Sequence, residues 1–500
     1  MQAPCADPTT LWWPYSAQNT AEALILLGES VAAHALLDEI ATTLPEAPVH
    51  YRCHLLTMRA RLHLMEGRPD LAGKAIDGAM ALVPEVRALD SWAWVTAREA
   101  QIRKVGVALA RGKNDEVENL VETFLADEEL YADDPLGRAV LRLDLATVQE
   151  DREIDAPNME PRAEAMLETM RSELQSLPVS PERDRLLARA ELALARFAMD
   201  AGELSRADGL LDHVSKLRVT EAPDSVWKEE ILLATAQAQL ALERGGDAGE
   251  LELVRAALRD AFEAQLDVVL RLAERPDGLS LLHFRESRAP LIELIRLEIE
   301  LDGEKQALAN GLQRIARLQS TGTLARRFEG NAPTLEEVRD ELIAPDGGLL
   351  VILPEARRTL VLAFDHSTVH CEETAGLNRI QRARARHLGS LLAPLPTSVV
   401  ERETALAEER AAAKELAQLL FPPRVSELLR HWGSVTFVGV DVLGPVALGW
   451  LPLDEGIPHL GRAKSWDVLP SIPFGMGRAG TLARTPPAAN AELLLVGGVR

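Results

Sequence analysis

Met65-Glu-Gly-Arg-Pro-Asp-Leu-Ala-Gly-Lys-Ala-Ile-Asp-Gly-Ala-Met-Ala-Leu-Val-Pro84 decides how the first three hundred residues are read. From Gly67, apolar residues fall at +5 (Ala72), +9 (Ile76) and +12 (Ala79), with a proline at +17 (Pro84). The same offsets from Gly28 give Ala33, Leu37, Ile40 and Pro45, so this is a repeat rather than an accident of composition. The apolar positions return every three to four residues, which puts them on one stripe of a helix. Upstream, Leu55, Met58, Leu62 and Leu64 mark the preceding helix in the same way. Glycine ends that first helix cheaply because it takes a left-handed conformation. Small residues then let the second helix approach closely, and proline is expected to stop it before the next unit.

Weaker copies follow. Gly112 precedes Val117, Val121 and Phe124, and Gly202 precedes Ala207, Leu211 and Val214; a further turn is expected at Arg244-Gly-Gly-Asp247. An acidic stretch, 150–162, interrupts the series. The unit resembles the tetratricopeptide repeat, with glycine in the turn, alanines on the second helix and a closing proline. The resemblance implies six to eight helix pairs over residues 1–320, stacked as an α-solenoid whose concave face holds a protein or peptide partner.

Composition is that of a globular protein: 47% hydrophobic, 26% charged and 4% aromatic residues, with a net charge of −23. Charge is uneven. Residues 1–340 carry 38 Lys/Arg against 60 Asp/Glu, whereas 341–500 carry 16 against 17. So acidic an array disfavours nucleic acid. No apolar run approaches the ~18 residues that span a bilayer, and no signal peptide is apparent. Cys5, Cys53 and Cys371 give neither a disulfide framework nor a metal spacing, so a reducing cytoplasm is the expected home.

The pattern changes after a linker at 321–333. Thr334 and Glu337 form a capping-box signature before a short helix. Leu349-Leu-Val-Ile-Leu353, Thr359-Leu-Val-Leu-Ala-Phe364 and Thr368-Val-His-Cys-Glu372 then read as an antiparallel meander over 349–373. Helices are expected within 376–431, a strand at 435–440, a mobile Gly/Pro-rich loop at 454–490 and a buried strand at 492–498.

This order resembles the front of the CHAT domain, a caspase-like bacterial domain found behind tetratricopeptide arrays. The resemblance rests on the helix running into Leu349–Leu353, on Leu419-Leu-Phe-Pro-Pro-Arg-Val-Ser-Glu-Leu-Leu429, on Leu451-Pro-Leu453 and Leu469-Pro-Ser471, and on Leu493-Leu-Leu-Val-Gly-Gly498. The loop Asp441-Val-Leu-Gly-Pro445 departs from the family pattern. The fold expected is therefore mostly α, a tetratricopeptide-like solenoid and then an incomplete α/β domain at 334–500. What the resemblance implies is a cysteine peptidase in the complete protein, cutting a protein substrate once the array binds its partner. The family's histidine and cysteine follow later strands, so they are expected beyond Arg500 and no catalytic residue is assigned here. A non-catalytic scaffold is the alternative, and a repeat-containing signalling or transcriptional regulator a third.

Other motifs have plainer readings. His370 and Cys371 are neighbours in a strand and point to opposite faces, which does not make a dyad. Cys53, His54 and His63 lack the i, i+4 spacing of helical metal ligands. Gly475-Met-Gly-Arg-Ala-Gly480 lacks the strand and helix that a dinucleotide site needs. Arg379, Arg382, Arg384 and Arg386 read as a solvated helix face able to dock on acidic surface, and Trp12-Trp-Pro-Tyr15 as cover for the end of the array. No cofactor or metal is expected.

Overall fold

The computed structural model describes residues 12–26, 30–43, 47–65, 68–155, 162–217, 226–273, 288–319, 332–355, 357–392, 398–438, 451–453, 460, 464–469 and 472. The expected strand at 492–498 and the glycine string at 475–480 lie outside these residues. The protein is mostly helical with one small sheet. It divides into two compact units, Met1–Gly303 and Glu304–Arg500.

In the first unit the helices are α1 (Trp12–Leu26), α2 (Ser30–Thr43), α3 (Val49–Met65), α4 (Pro69–Arg87), α5 (Trp94–Ala110), α6 (Asn114–Leu125) and the single turn α7 (Glu128–Tyr131). They continue with α8 (Pro135–Asp155), α9 (Ala163–Ser176), α10 (Pro181–Asp200), α11 (Leu204–Lys216), α12 (Val226–Arg244), α13 (Ala248–Ala273) and α14 (Arg288–Asp302). The repeat offsets mark the core. Ala33, Leu37, Ala72, Ile76, Ala79, Val117 and Val121 are fully buried, and Ala207, Leu211 and Val214 nearly so.

The turns form as the glycines require. Gly112, Gly202 and Gly245 have φ of 67°, 75° and 67°. Each donates its amide to the carbonyl three residues back, and the next residue donates to the carbonyl five back (Lys113 to Ala108, 3.1 Å; Glu203 to Ala198, 2.8 Å; Gly246 to Ala241, 2.9 Å). This is the Schellman closure, which satisfies the last carbonyls of the first helix. Gly303 (φ 85°) ends α14 with the simpler bond to Ile299. Its +5, +9 and +12 residues, Leu308, Leu312 and Ile315, are also buried, a further copy of the offset pattern.

Pro84 departs from expectation. It sits inside α4, which runs on to Arg87. A proline there forfeits one helical hydrogen bond. Val83 on one side and Val86 on the other continue the buried stripe of Ala72, Ile76 and Ala79 past it, and that burial carries the helix through.

The second unit starts with α15 (Glu304–Gln319), inside the block that the periodicity assigned to the array. Then come α16 (Leu335–Leu342), β1 (Gly347–Pro354), β2 (Arg358–Phe364), β3 (Val369–Ala375), α17 (Leu377–Leu392), α18 (Val399–Leu420), α19 (Pro423–His431), β4 (Ser434–Val438) and β5 (Ser465–Leu469). The capping box forms as expected: Thr334 Oγ1 accepts from the Glu337 amide at 3.2 Å, and Glu337 reaches back to the Thr334 amide at 2.7 Å.

The sheet order is β3-β2-β1-β4-β5. β1, β2 and β3 form the antiparallel meander (Val351 opposite Leu362, Leu362 opposite Cys371), while β4 joins β1 in parallel. All eight residues of β1 are buried, as a central strand requires. Leu350, Ile352, Val361 and Ala363 pack against Ile380 of α17, Leu416 of α18 and Leu429 of α19. β5 pairs in parallel with β4 inside the stretch read as loop at 454–490. Its five residues, Ser-Trp-Asp-Val-Leu, include two polar ones and an exposed Val468, so no buried-strand pattern announces it.

Candidate binding site

The first helices of the pairs, α1, α3, α5, α8, α10, α12 and α14, pack successively on one another, while the second helices pack mainly on the first helices that flank them. Along this row of first helices runs a file of charged side chains. Glu22 of α1 accepts from Arg61 of α3 at 3.2 Å. Glu99 of α5 lies 3.0 Å from His54 Nδ1 of α3. Further along, Glu293 of α14 is 1% exposed and accepts from Gln239 of α12 (3.0 Å) and Arg296 (2.6 Å).

The middle of the file is different. Arg103 of α5 is half-buried, and its buried Nε has no hydrogen-bond partner. Burial pulls the guanidinium down to about 10, with Arg61 pushing the same way and Glu99, Asp144 and Glu22 opposing. Asp144 of α8 makes no hydrogen bond or ion pair among the described residues. Burial raises its carboxyl to about 6, against the pull of Arg103 and of Arg189 on α10. Arg103 and Arg189 thus each act on Asp144 across gaps too wide for an ion pair.

None of these residues stood out in the sequence. Arg61, Arg103 and Arg189 lie six, nine and thirteen residues before the turn glycines Gly67, Gly112 and Gly202. They share no repeat position, and only the stacking of helices brings them into line.

The residues singled out from sequence fall elsewhere. Cys371 is buried on β3, and burial, with Glu304 adding to it, pushes its thiol up to about 12. Its neighbour His370 takes Arg424 Nη2 on Nδ1 at 2.6 Å, beside Glu304 at 3.6 Å. Arg424 in turn pairs with Glu304 at 2.9 Å. His370 is therefore held in an ion-pair cluster joining α15, β3 and α19, not in a dyad. Burial likewise pushes the Cys53 thiol up to about 11, its Sγ 3.5 Å from the Ala79 carbonyl oxygen. His54 pairs with Glu99, and the His63 ring lies 5.2 Å from that of His34. Among the described residues no group of three His, Cys, Asp or Glu side chains could hold a metal ion.

Arg379, Arg382, Arg384 and Arg386 lie on α17, where Arg386 pairs with Glu415 of α18 at 2.6 Å. Trp12–Tyr15 open α1, and their side chains lie outside the described residues. No described helix is long and apolar enough to cross a membrane.

No family model and no curated protein matches the chain. Among solved structures it is similar to the apo form of RapI, at 12% identity and a TM-score of 0.38, over 59% of this chain and 99% of that one. It is also similar to the apo form of the quorum sensor NprR from B. thuringiensis, at 13% identity and a TM-score of 0.35, over 63% and 86% of the two chains.

Proposed function

We propose that the helical array binds a peptide or protein partner along its first helices, and that the sheet-containing unit is the front part of a CHAT-like module that the array controls. The observation that carries the first half is the file of charged side chains from Glu22 to Glu293. Helices that had only to pack would place apolar residues there, as their neighbouring positions do. Because the first helices pack on one another and the second helices less so, the first-helix row is read as the concave side of the solenoid.

The second half rests on the order of elements: a capped helix entering the buried strand β1, its hairpin, the proline-started α19 and the parallel strand β4. In that division the array takes residues 1–320, residues 321–333 are the linker and 334–500 the module. The complete protein would then be a partner-regulated cysteine peptidase of a reducing compartment such as the cytoplasm. A binding scaffold without catalysis is the alternative.

The test is selection of a random dodecapeptide display library on the full chain, followed by anisotropy titration of the winners. Arg61→Glu or Arg189→Glu should weaken binding at least about tenfold, the effect of breaking one charge-assisted contact. Arg206→Glu on the second helix α11 should leave it unchanged. Binders lost with Arg206→Glu yet indifferent to the first helices would refute the assignment. For the module, the test is made on a protein extended past Arg500: ligand-dependent cleavage of a protein substrate that a thiol alkylator abolishes supports the peptidase, and its absence supports the scaffold.

A further inference from the structure

The second helices of the array leave a groove between α11 and α13. On one side α11 is tied directly to α9, where Arg206 pairs with Glu164 at 2.7 Å and Glu168 at 2.8 Å. On the other side the tie to α13 passes through Arg244 of α12, which pairs with Asp208 of α11 at 3.2 Å and Glu250 of α13 at 3.7 Å. That tie sits next to the turn at Gly245. Away from the turn α11 and α13 stand apart over α12, which packs on both, and the space between them is about 400 Å³. We infer that this groove takes a basic amphipathic helix of a partner protein. It lies on the second helices, away from the charged file, and takes its partner whether or not a ligand lies along the first helices.

The middle of the groove is apolar. Leu211, Leu240 and Ala241 are buried at its base, while Val254 and Leu253 make the α13 wall. Leu253 is 74% exposed, so this wall keeps apolar surface in water beside a cavity. At the end away from the turn, the half-buried Gln237 makes no side-chain hydrogen bond among the described residues and can bond a polar side chain of the partner. The lining residues of each helix recur at i, i+3, i+4 and i+7, so the groove runs for two turns, roughly 10 Å. An amphipathic helix sets its own anchors at that spacing. A small molecule is the poorer fit, because Leu253 and Ala257 are exposed and would leave much of it in water.

Charge selects the partner. Asp208, Asp212 and Glu250 line the groove against one guanidinium, that of Arg244. Lys216 at the rim pairs with Asp212, and counting it still leaves a net charge of −1. Neighbouring charges are engaged elsewhere: Arg255 with Glu252 and Asp302, and Asp247 with the amides of Gly249 and Glu250. An anionic helix would meet this excess and the net −22 of residues 1–340, whereas a basic one is drawn in by both. The side chains of Asp208 and Asp212 are more than half exposed, so lysines flanking an apolar stripe reach them while keeping their own water. The exposed Asp212–Lys216 pair is weak enough to exchange for such a lysine.

The experiment titrates a fluorescein-labelled synthetic peptide of about 14 residues with the full-length protein and reads anisotropy. The peptide has leucines at i, i+3, i+4 and i+7 and lysines flanking them. One control scatters the same leucines around the helix, and another replaces lysine by glutamate. The ordered basic peptide should bind at least about tenfold more tightly than either. Leu253→Ser should weaken it about tenfold, the effect of no longer burying one leucine. Leu71→Ser, also outward-facing but on α4, and Arg61→Gln on the first helices should leave it unchanged. Asp212→Asn removes a carboxylate and leaves Lys216 unpaired, so binding should weaken about threefold in ~0.05 M salt and less in ~0.5 M. No binding to wild type, equal binding of the scattered peptide, full affinity in Leu253→Ser, or loss with Arg61→Gln overturns the groove as the site. A glutamate peptide that binds as well, or indifference to Asp212→Asn at low salt, overturns the basic partner.

Discussion

Replacing Asp144 by Asn should stabilise the protein, and only above a certain pH. An aspartate in an unfolded chain titrates near ~3.9, whereas in the folded protein Asp144 titrates at about 6 because burial disfavours its charged form. The folded state therefore holds this proton more tightly than the unfolded state. Below ~3.9 both states are protonated and the group costs nothing. Between ~3.9 and about 6 the unfolded chain releases the proton first, so stability falls as the pH rises. Above about 6 the penalty is complete, worth about 3 kcal/mol. The attraction of Arg103 and Arg189 is already contained in that figure, since both act to lower the folded value. Asparagine keeps the shape and removes the charge. Urea unfolding followed by far-UV circular dichroism reports the helices of the array. Asp144→Asn should be more stable than wild type by up to about 3 kcal/mol near pH 7.5, with the difference closing toward about pH 4. Equal midpoints at both pH values, or a less stable variant at neutral pH, would show that the carboxylate is better solvated or paired than the structure implies.

Gly348 in β1 faces the Trp432 ring so closely that an added Cβ would lie 2.2 Å from Cε2. That ring is buried and donates its Nε1 hydrogen to Asp365 Oδ2 at 3.0 Å, so Gly348→Ala should cost about 2–4 kcal/mol in urea unfolding, and a neutral effect would count against the register of β1 on α19. Glu191 of α10, fully buried, takes Arg171 Nε at 2.8 Å and His213 Nδ1 at 2.5 Å. Glu191→Ala should cost about 2 kcal/mol, less than a fully buried pair because both partners reach solvent, and His213→Ala added to it should cost almost nothing more. At neutral pH a thiol titrating at about 12 holds roughly three orders of magnitude less thiolate than a free cysteine, so Cys371 should resist iodoacetamide in native protein and react on unfolding. Rapid native labelling read by peptide mass spectrometry would refute its burial.

Much of the fold was legible because it depends on local chemistry. A left-handed glycine followed by buried residues at +5, +9 and +12 is a short-range pattern, and it holds at Gly112 and Gly202 as the sequence reads. The same is true of the Thr334 capping box and of β1, whose uninterrupted apolar run can only be a central strand. Pro84 misled because a local rule, that proline ends a helix, lost to burial of Val86 two residues later. β5 was missed because its pairing with β4 comes from the parallel neighbour, not from its own residues. The candidate site was the least legible feature. Arg61, Arg103, Asp144 and Arg189 each read as ordinary polar positions on amphipathic helices, and their alignment is a long-range product of stacking.

The charged file also separates two ways a buried polar group can go without a partner. His387 of α17 is 1% exposed and neither ring nitrogen is hydrogen-bonded. Burial lowers its pKa, so it sheds its charge and the cost shrinks to unmade hydrogen bonds. Arg103 has no such escape, because even at about 10 it stays protonated at neutral pH. Asp144 could discharge only by titrating, and at about 6 it remains mostly ionised at pH 7. The array therefore keeps opposite charges recessed and apart, although a small outward shift would hydrate them and a small inward shift would pair them. An arrangement that uses neither remedy leaves Arg103 and Asp144 without the hydration or the pairing that buried charges ordinarily have.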